Sequence, residues 1–173
     1  RRNTSVLVFE KCSGFTGTLN IPDSVVTISG YAFAGCYGLN GSLIIPDTVL
    51  DVGTGAFSVC SGLDGYLSIS SNLAEISSYT FQYCSSLKGN LKIPESVKII
   101  GSFAFSSCSG FSGSLIIPDS VLIIGENAFS YCKGFNESLL IGSGLTTINS
   151  FTFQYCSQLQ NSLNIPNSIT SID

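Results

Sequence analysis

The sequence predicts a solenoid of about seven stacked 24-residue repeats, built from short parallel strands and single tight turns. Two observations predict it. The seven cysteines, Cys12, Cys36, Cys60, Cys84, Cys108, Cys132 and Cys156, are each 24 residues from the next. Six apolar columns keep the same step. Phe stands three residues before every Cys, from Phe9 to Phe153, and Leu or Phe three after it. Leu stands seven after, from Leu19 to Leu163, and Ile nine after, from Ile21 to Ile165. Val, Leu or Ile occupies the thirteenth place, and Ile the sixteenth except at Val52. A fixed period between 20 and 50 residues marks units that cannot bury their own apolar edge and therefore stack.

Each element of the coil follows from its residues. In Leu43-Ile44-Ile45-Pro46 the column residues Leu43 and Ile45 are two apart, so they share one face of a strand. Pro46 has no N–H to donate and ends the pairing. Pro46-Asp47-Thr48 then supplies turn chemistry. Val49 and Val52, three apart, suit a short extended piece or arc. Gly53, Gly101 and Gly125 recur just beyond, where a left-handed or tight bend is expected. The steps of three in Ala56-Phe57-x-x-Cys60-x-x-Leu63 suit a single 3₁₀ or α turn. Gly62 and Gly65 lead to the next strand. Two repeats replace the proline, with Ser70 and Gly142, so looser turns are expected there.

The pattern L-x-I-P-x-S-V-x-x-I-x-x-x-A-F-x-x-C-x-x-L, seen in Leu115-Ile116-Ile117-Pro118-Asp119-Ser120-Val121 with Ala128-Phe129 and Cys132, resembles the BspA-like, or Treponema-type, leucine-rich repeat. The resemblance covers essentially the whole chain. Each unit is one residue longer than that family's usual repeat, around Gly41-Ser42 and Gly113-Ser114, a variant more similar to trichomonad members than to bacterial ones. The resemblance implies a right-handed leucine-rich-repeat coil and a cell-surface or extracellular role in adhesion or ligand binding.

Composition excludes several functions. Charged residues make up 10 % of the chain, against roughly 25 % in ordinary domains. The net charge of −4 leaves no basic footprint for nucleic acid. The chain has no His, hence no ordinary Ser-His or Cys-His pair and no imidazole zinc site. No apolar run approaches the ~20 residues of a membrane span. Met is absent too, which predicts a processed product or a piece of something longer. We expect residues 1–173 to form one array, with both ends inside a repeat and no capping unit. No catalytic residue, metal site or cofactor is expected.

Cysteines stacked along one line at the ~4.8 Å spacing of strands lie too far apart to bridge without distortion, and cannot surround one zinc ion. The column therefore reads as a structural thiol ladder. The acidic column Asp23, Asp47, Glu95 and Asp119 reads as solvated turns, against calcium binding through oxygen ligands. Aromatic residues recur five before the Cys (Tyr31, Tyr79, Phe103, Phe151) and one before it (Tyr83, Tyr131, Tyr155). These columns are incomplete, so they belong near the surface. There they either anchor a protein or sugar ring or shield the edge of the core.

The residue between the two inward strand columns points outward: Asn20, Ile44, Ser68, Lys92, Ile116, Leu140 and Asn164, joined by Tyr66. Exposed apolar residues here mark an interaction face, or else strand propensity alone. Ile44, Tyr66, Lys92, Ile116 and Leu140 are the candidate partner-binding set. A second apolar set is Leu50, Ile99, Leu122 and Ile123. Asn3-Thr4-Ser5, Asn40-Gly41-Ser42 and Asn136-Glu137-Ser138 match the N-glycosylation pattern. The favoured reading is a non-catalytic protein- or glycan-binding adhesion module. The alternative is a cytoplasmic scaffold or a filament built by end-to-end self-association.

Overall fold

A computed structural model describes residues 9–173. The chain is a parallel β-solenoid, and its thirteen short strands among the described residues have two or three residues each. One ladder joins Leu43–Ile44 to Leu67–Ser68 and Leu115–Ile117 to Leu139–Ile141, with Leu140 bridging on to Asn164. Along a second column Thr27–Ile28 pairs with Asp51–Val52, Glu75–Ile76, Ile99–Ile100 and Ile123–Ile124 form a three-stranded sheet, and Thr147–Ile148 pairs with Ser171–Ile172. In both ladders partners are 24 residues apart, as in Ile116 and Leu140. Two contacts differ: Gly17–Thr18 pairs with Leu39–Asn40, and Gly89 with Phe111, two residues closer in sequence.

The columns form the core. Leu43, Leu115, Val49, Val97, Ile100, Phe57, Phe105 and Phe129 are fully buried. The Phe column is a continuous stack, with ring centroids 5.2–5.9 Å apart from Phe9 through Phe33, Phe57, Phe81, Phe105 and Phe129 to Phe153. Phe111 and Phe135 add a second stack at 5.9 Å.

The arc leading to each Cys differs from the expected helical turn. Ala32, Ala34 and Cys36 donate their N–H groups three residues back, to Ser29, Tyr31 and Phe33. The alternate residues Tyr31, Phe33 and Gly35 donate instead to Thr54, Ala56 and Ser58 of the next coil. Half of the donors thus leave the coil. Tyr31 and Gly35 have φ of 56° and 71°, which breaks the run into separate β-turns. Among the described residues no helix forms, because a helix needs those N–H groups within its own coil.

Glycine also acts differently from expectation at Gly53, Gly101 and Gly125. None has a left-handed φ. A Cβ at these positions would instead collide with the backbone N of Gly30, Ser78 and Ser102 in the preceding coil. The requirement is close approach between coils, not a bend. The turns without proline close over longer bonds, Leu73 N–H to the Ser70 carbonyl at 3.3 Å and Leu145 N–H to the Gly142 carbonyl at 3.5 Å, against 2.9–3.1 Å in the proline turns. The Ser70 turn is tied to the preceding coil instead. Ser70 is buried and donates to the Val49 carbonyl at 2.7 Å, and Asn72 Nδ2 donates to the Asp47 carbonyl at 2.8 Å.

Candidate functional site

The strand face follows from alternation on a pleated surface. Leu115 and Ile117 point into the core while Ile116 between them is 49 % exposed. Its register partner Leu140 is 50 % exposed, so the fold brings these two together as a half-exposed apolar pair. Ile44 is also exposed, but it pairs with Ser68 and lines a shallow depression of about 490 Å³ with Leu19, Asp23, Pro46 and Asp47. Lys92 lies exposed between buried Leu91 and Ile93, outside the ladder strands. Tyr66 is exposed in the neighbouring outward column, its N–H donating to Ser42 Oγ at 3.1 Å. The second apolar set is exposed at Leu50, Leu122 and Ile123 and half-buried at Ile99, which pairs with Ile123.

The two aromatic columns occupy a backbone conformation that the sequence reading missed. Tyr31, Tyr79, Phe103 and Phe151 have φ of 56–62°, and Tyr83, Tyr131 and Tyr155 of 58–60°. The left-handed region costs an ordinary L-residue roughly 1–2 kcal/mol. The same columns hold Gly35, Gly55 and Asn127, and also Lys11, Val59 and Ser107, all at positive φ. That mixture of Gly and Asn among aromatics was the available signal. Tyr79 stacks on Phe103 at 5.1 Å and Tyr131 on Tyr155 at 4.6 Å. Such pairs return about 0.5–1.5 kcal/mol. Tyr31 lies over Gly55, where a Cβ would meet its ring. Tyr79 and Phe103 are half-buried, whereas Tyr31, Tyr83, Tyr131, Phe151 and Tyr155 are exposed. The exposed Tyr37 belongs to the same arc and was not singled out in the sequence, where it stands in a column of mostly Ser.

All seven cysteines are free; Cys36, Cys60, Cys84, Cys108 and Cys132 are buried, and Cys12 and Cys156 are partly so. From Cys36 to Cys156 each thiol donates to a Phe carbonyl of the preceding coil at 3.0–3.2 Å, as Cys108 does to Phe81. That carbonyl also accepts the backbone N–H of its own coil's Cys, as Phe81 does from Cys84. Burial pushes the Cys60 thiol up to about 12 and Cys156 up to about 11. Cys84, Cys108 and Cys132 are driven well above the usual thiol range by the same desolvation.

The acidic column does not converge on one point. Asp47 accepts the Ser71 N–H at 2.7 Å, and Asp119 accepts both the N–H and the hydroxyl of Ser143, at 2.7 and 3.1 Å. These bonds, the backbone one foremost, hold both carboxyls below their ordinary range. Among the described residues, no group of three or more His, Cys, Asp or Glu could hold a metal ion. No helix of those residues is long and apolar enough to cross a membrane. Of the glycosylation patterns, Asn3-Thr4-Ser5 lies outside the described residues. Asn40 and Asn136 are exposed, and Asn136 Oδ1 accepts the Gly113 N–H at 2.8 Å. An open depression of about 560 Å³ at the first described coils is lined largely by core-column residues, among them Phe9, Ile21, Ile28 and Phe33.

Comparison with known proteins agrees with this geometry. The chain is similar to the leucine-rich repeat protein of T. pallidum, at 32 % identity and a TM-score of 0.74, over 86 % of this chain and 66 % of that one. It is similar to a leucine-rich repeat protein from Bacteroides ovatus, at 29 % identity and 0.71, over 86 % of this chain and 43 % of the other. A leucine-rich cell surface protein from Faecalibacterium prausnitzii matches at 26 % and 0.54, over 90 % of this chain and 31 % of that one. The chain thus spans less than two thirds of each of these structures. No curated protein sequence matches it. The model of the BspA type leucine-rich repeat region matches six copies over residues 5–136 and 74–173, and with the 24-residue coil, the Phe stack and the thiol column it establishes that the chain belongs to the BspA-type leucine-rich repeat family.

Proposed function

We propose that this array is a non-catalytic module that binds a protein partner through its strand face, as part of an adhesive protein displayed at the cell surface. The single observation that carries the reading is the register pair Ile116 and Leu140. Two large aliphatic side chains lie half exposed side by side on a rigid surface whose other face is closed core. Paired apolar exposure of this kind favours a macromolecular contact. Lys92 and Tyr66 on the same face add a cation and an amphipathic ring, side chains suited to fixing orientation. Family membership supports a repeat-protein interaction role. The surface placement is supported by the likeness to the Faecalibacterium cell surface protein. The reactive side chains have structural partners: thiols donate to carbonyls, and Asp47 and Asp119 hold the next coil.

The test is binding of the 173-residue chain to an array of purified extracellular proteins. Ile116→Asp and Leu140→Asp should each weaken the strongest interaction at least ten-fold, with circular dichroism and Tm unchanged, because both side chains lie on the surface. Equal binding by the Asp variants removes the strand face as the site.

A further inference from the structure

The arc that carries the left-handed aromatics is a different surface from the strand face, and six of the seven tyrosines lie on it, all but Tyr66. We propose that this arc is a second binding site, for a neutral saccharide chain laid across successive coils. The backbone carries the first part of the assignment. The arc needs left-handed residues, and Gly35, Gly55, Asn127, Ser107, Val59 and Lys11 show that non-aromatic side chains fill those places. Aromatic side chains hold seven of the thirteen described left-handed places in these two columns, against the local backbone preference, and residues kept in such conformations gather at ligand sites.

Stacking between coils accounts for only part of this. It pairs Tyr79 with Phe103 and Tyr131 with Tyr155. Tyr83 has Val59 and Ser107 as its column neighbours, and Phe151 follows Asn127. These two rings are 50 % and 57 % exposed. They have no aromatic partner in their own columns, so their faces stay open to solvent.

The surroundings of the rings select the ligand class. Gln82, Gln154, Ser85, Ser107, Ser109 and Ser157, on the same arc next to or near them in sequence, are neutral donors and acceptors, all at least partly exposed. A pyranose presents an apolar C–H face and a rim of hydroxyls, which match flat rings bordered by amides and hydroxyls. One coil advances by the ~4.8 Å of strand spacing, close to the length of one sugar unit. A charged polymer would find few opposite charges here: the seven Cys-preceding residues include one, Lys11, and Lys133 is already 5.8 Å from the Tyr131 ring.

The chain has no Trp, so tyrosine emission reads these rings directly. The 173-residue chain is applied to an array of neutral oligosaccharides (glucan, xylan, galactan and chitin oligomers) beside sulfated and sialylated ones. Retained glycans are then titrated by tyrosine fluorescence. We expect retention of at least one neutral chain with a saturable emission change. The combined variant Tyr83→Asn, Phe151→Asn and Tyr155→Asn should lose affinity at least ten-fold, with Tm unchanged or raised because Asn tolerates the left-handed region. Should that variant's Tm fall, Tyr83→Gly alone makes the same comparison. Ile116→Asp should bind the glycan normally, which keeps this site separate from the strand face. Retention of no neutral glycan, retention confined to charged ones, or full affinity in the aromatic variants would each overturn the proposal.

Discussion

At Cys108 the thiol is fully buried, 3.0 Å from the Phe81 carbonyl, and far from water. Such a group behaves as a small hydrophobe with a weak donor, and burial disfavours its thiolate. The consequence for pH has a definite sign. In the unfolded chain thiols ionise near about 8.5, whereas in the fold Cys60 is raised to about 12 and Cys156 to about 11. Between those values the folded chain holds protons that the unfolded chain releases, so stability falls as pH rises. This contribution is intact below about pH 8.5 and lost progressively toward about pH 11–12. We expect the urea midpoint to drop from pH 8 to pH 11, and Cys60→Ala with Cys108→Ala to flatten that drop. A thiol reagent at pH 8 should leave the five buried cysteines unmodified until denaturant is added. The column was legible in the sequence because its spacing is invariant. Its hydrogen bonds were not, since they join residues 27 apart on different coils.

The short elements of each coil are held less by their own bonds than by the next coil. Gly125 N–H donates to the Ile100 carbonyl at 2.7 Å, and the backbone of Ser102 lies where a Cβ on Gly125 would stand. Gly125→Ala should therefore cost on the order of 1–3 kcal/mol, the range for overpacking against a backbone that cannot yield. Gly14→Ala, with nothing within 4 Å of the added carbon, should stay near neutral. Urea denaturation of the two variants checks the contrast. The sequence reading placed these glycines correctly but took the recurrence for a bend, because composition shows that a side chain is missing and not what fills its space. The same limit applies to the arc. Steps of three suggested a helical turn, yet alternate N–H groups pair with the following coil, and left-handed residues divide the run.

Across the whole molecule stability is distributed by neighbours, as in any stack where each unit touches only the next. Phe105 lies between Phe81 and Phe129, at 5.3 and 5.2 Å, and is fully buried. Phe105→Ala should cost roughly 3–5 kcal/mol, the usual loss for a buried Phe. Phe153, half-buried and stacked at 5.9 Å on Phe129, should cost clearly less when changed to Ala. Equilibrium unfolding of both variants gives the comparison, and equal losses would contradict nearest-neighbour stacking.

The candidate surfaces divide in the same way. Strand alternation alone placed Ile44, Ile116 and Leu140 outward, since a period of two fixes which side chains leave the core. Register then joined Ile116 to Leu140 and set Ile44 beside Ser68, with Lys92 outside the ladder strands.

What the sequence determined by itself was the repeat length, the residues that face inward, and the family. Each of these depends on periodicity, and periodicity is a property of one dimension. The tertiary structure alone decided which hydrogen bonds close the arc, why the glycines recur, and that the surface aromatics hold left-handed backbone. Those features arise where one coil meets another, between residues some two dozen apart, and no local pattern encodes the distance between them.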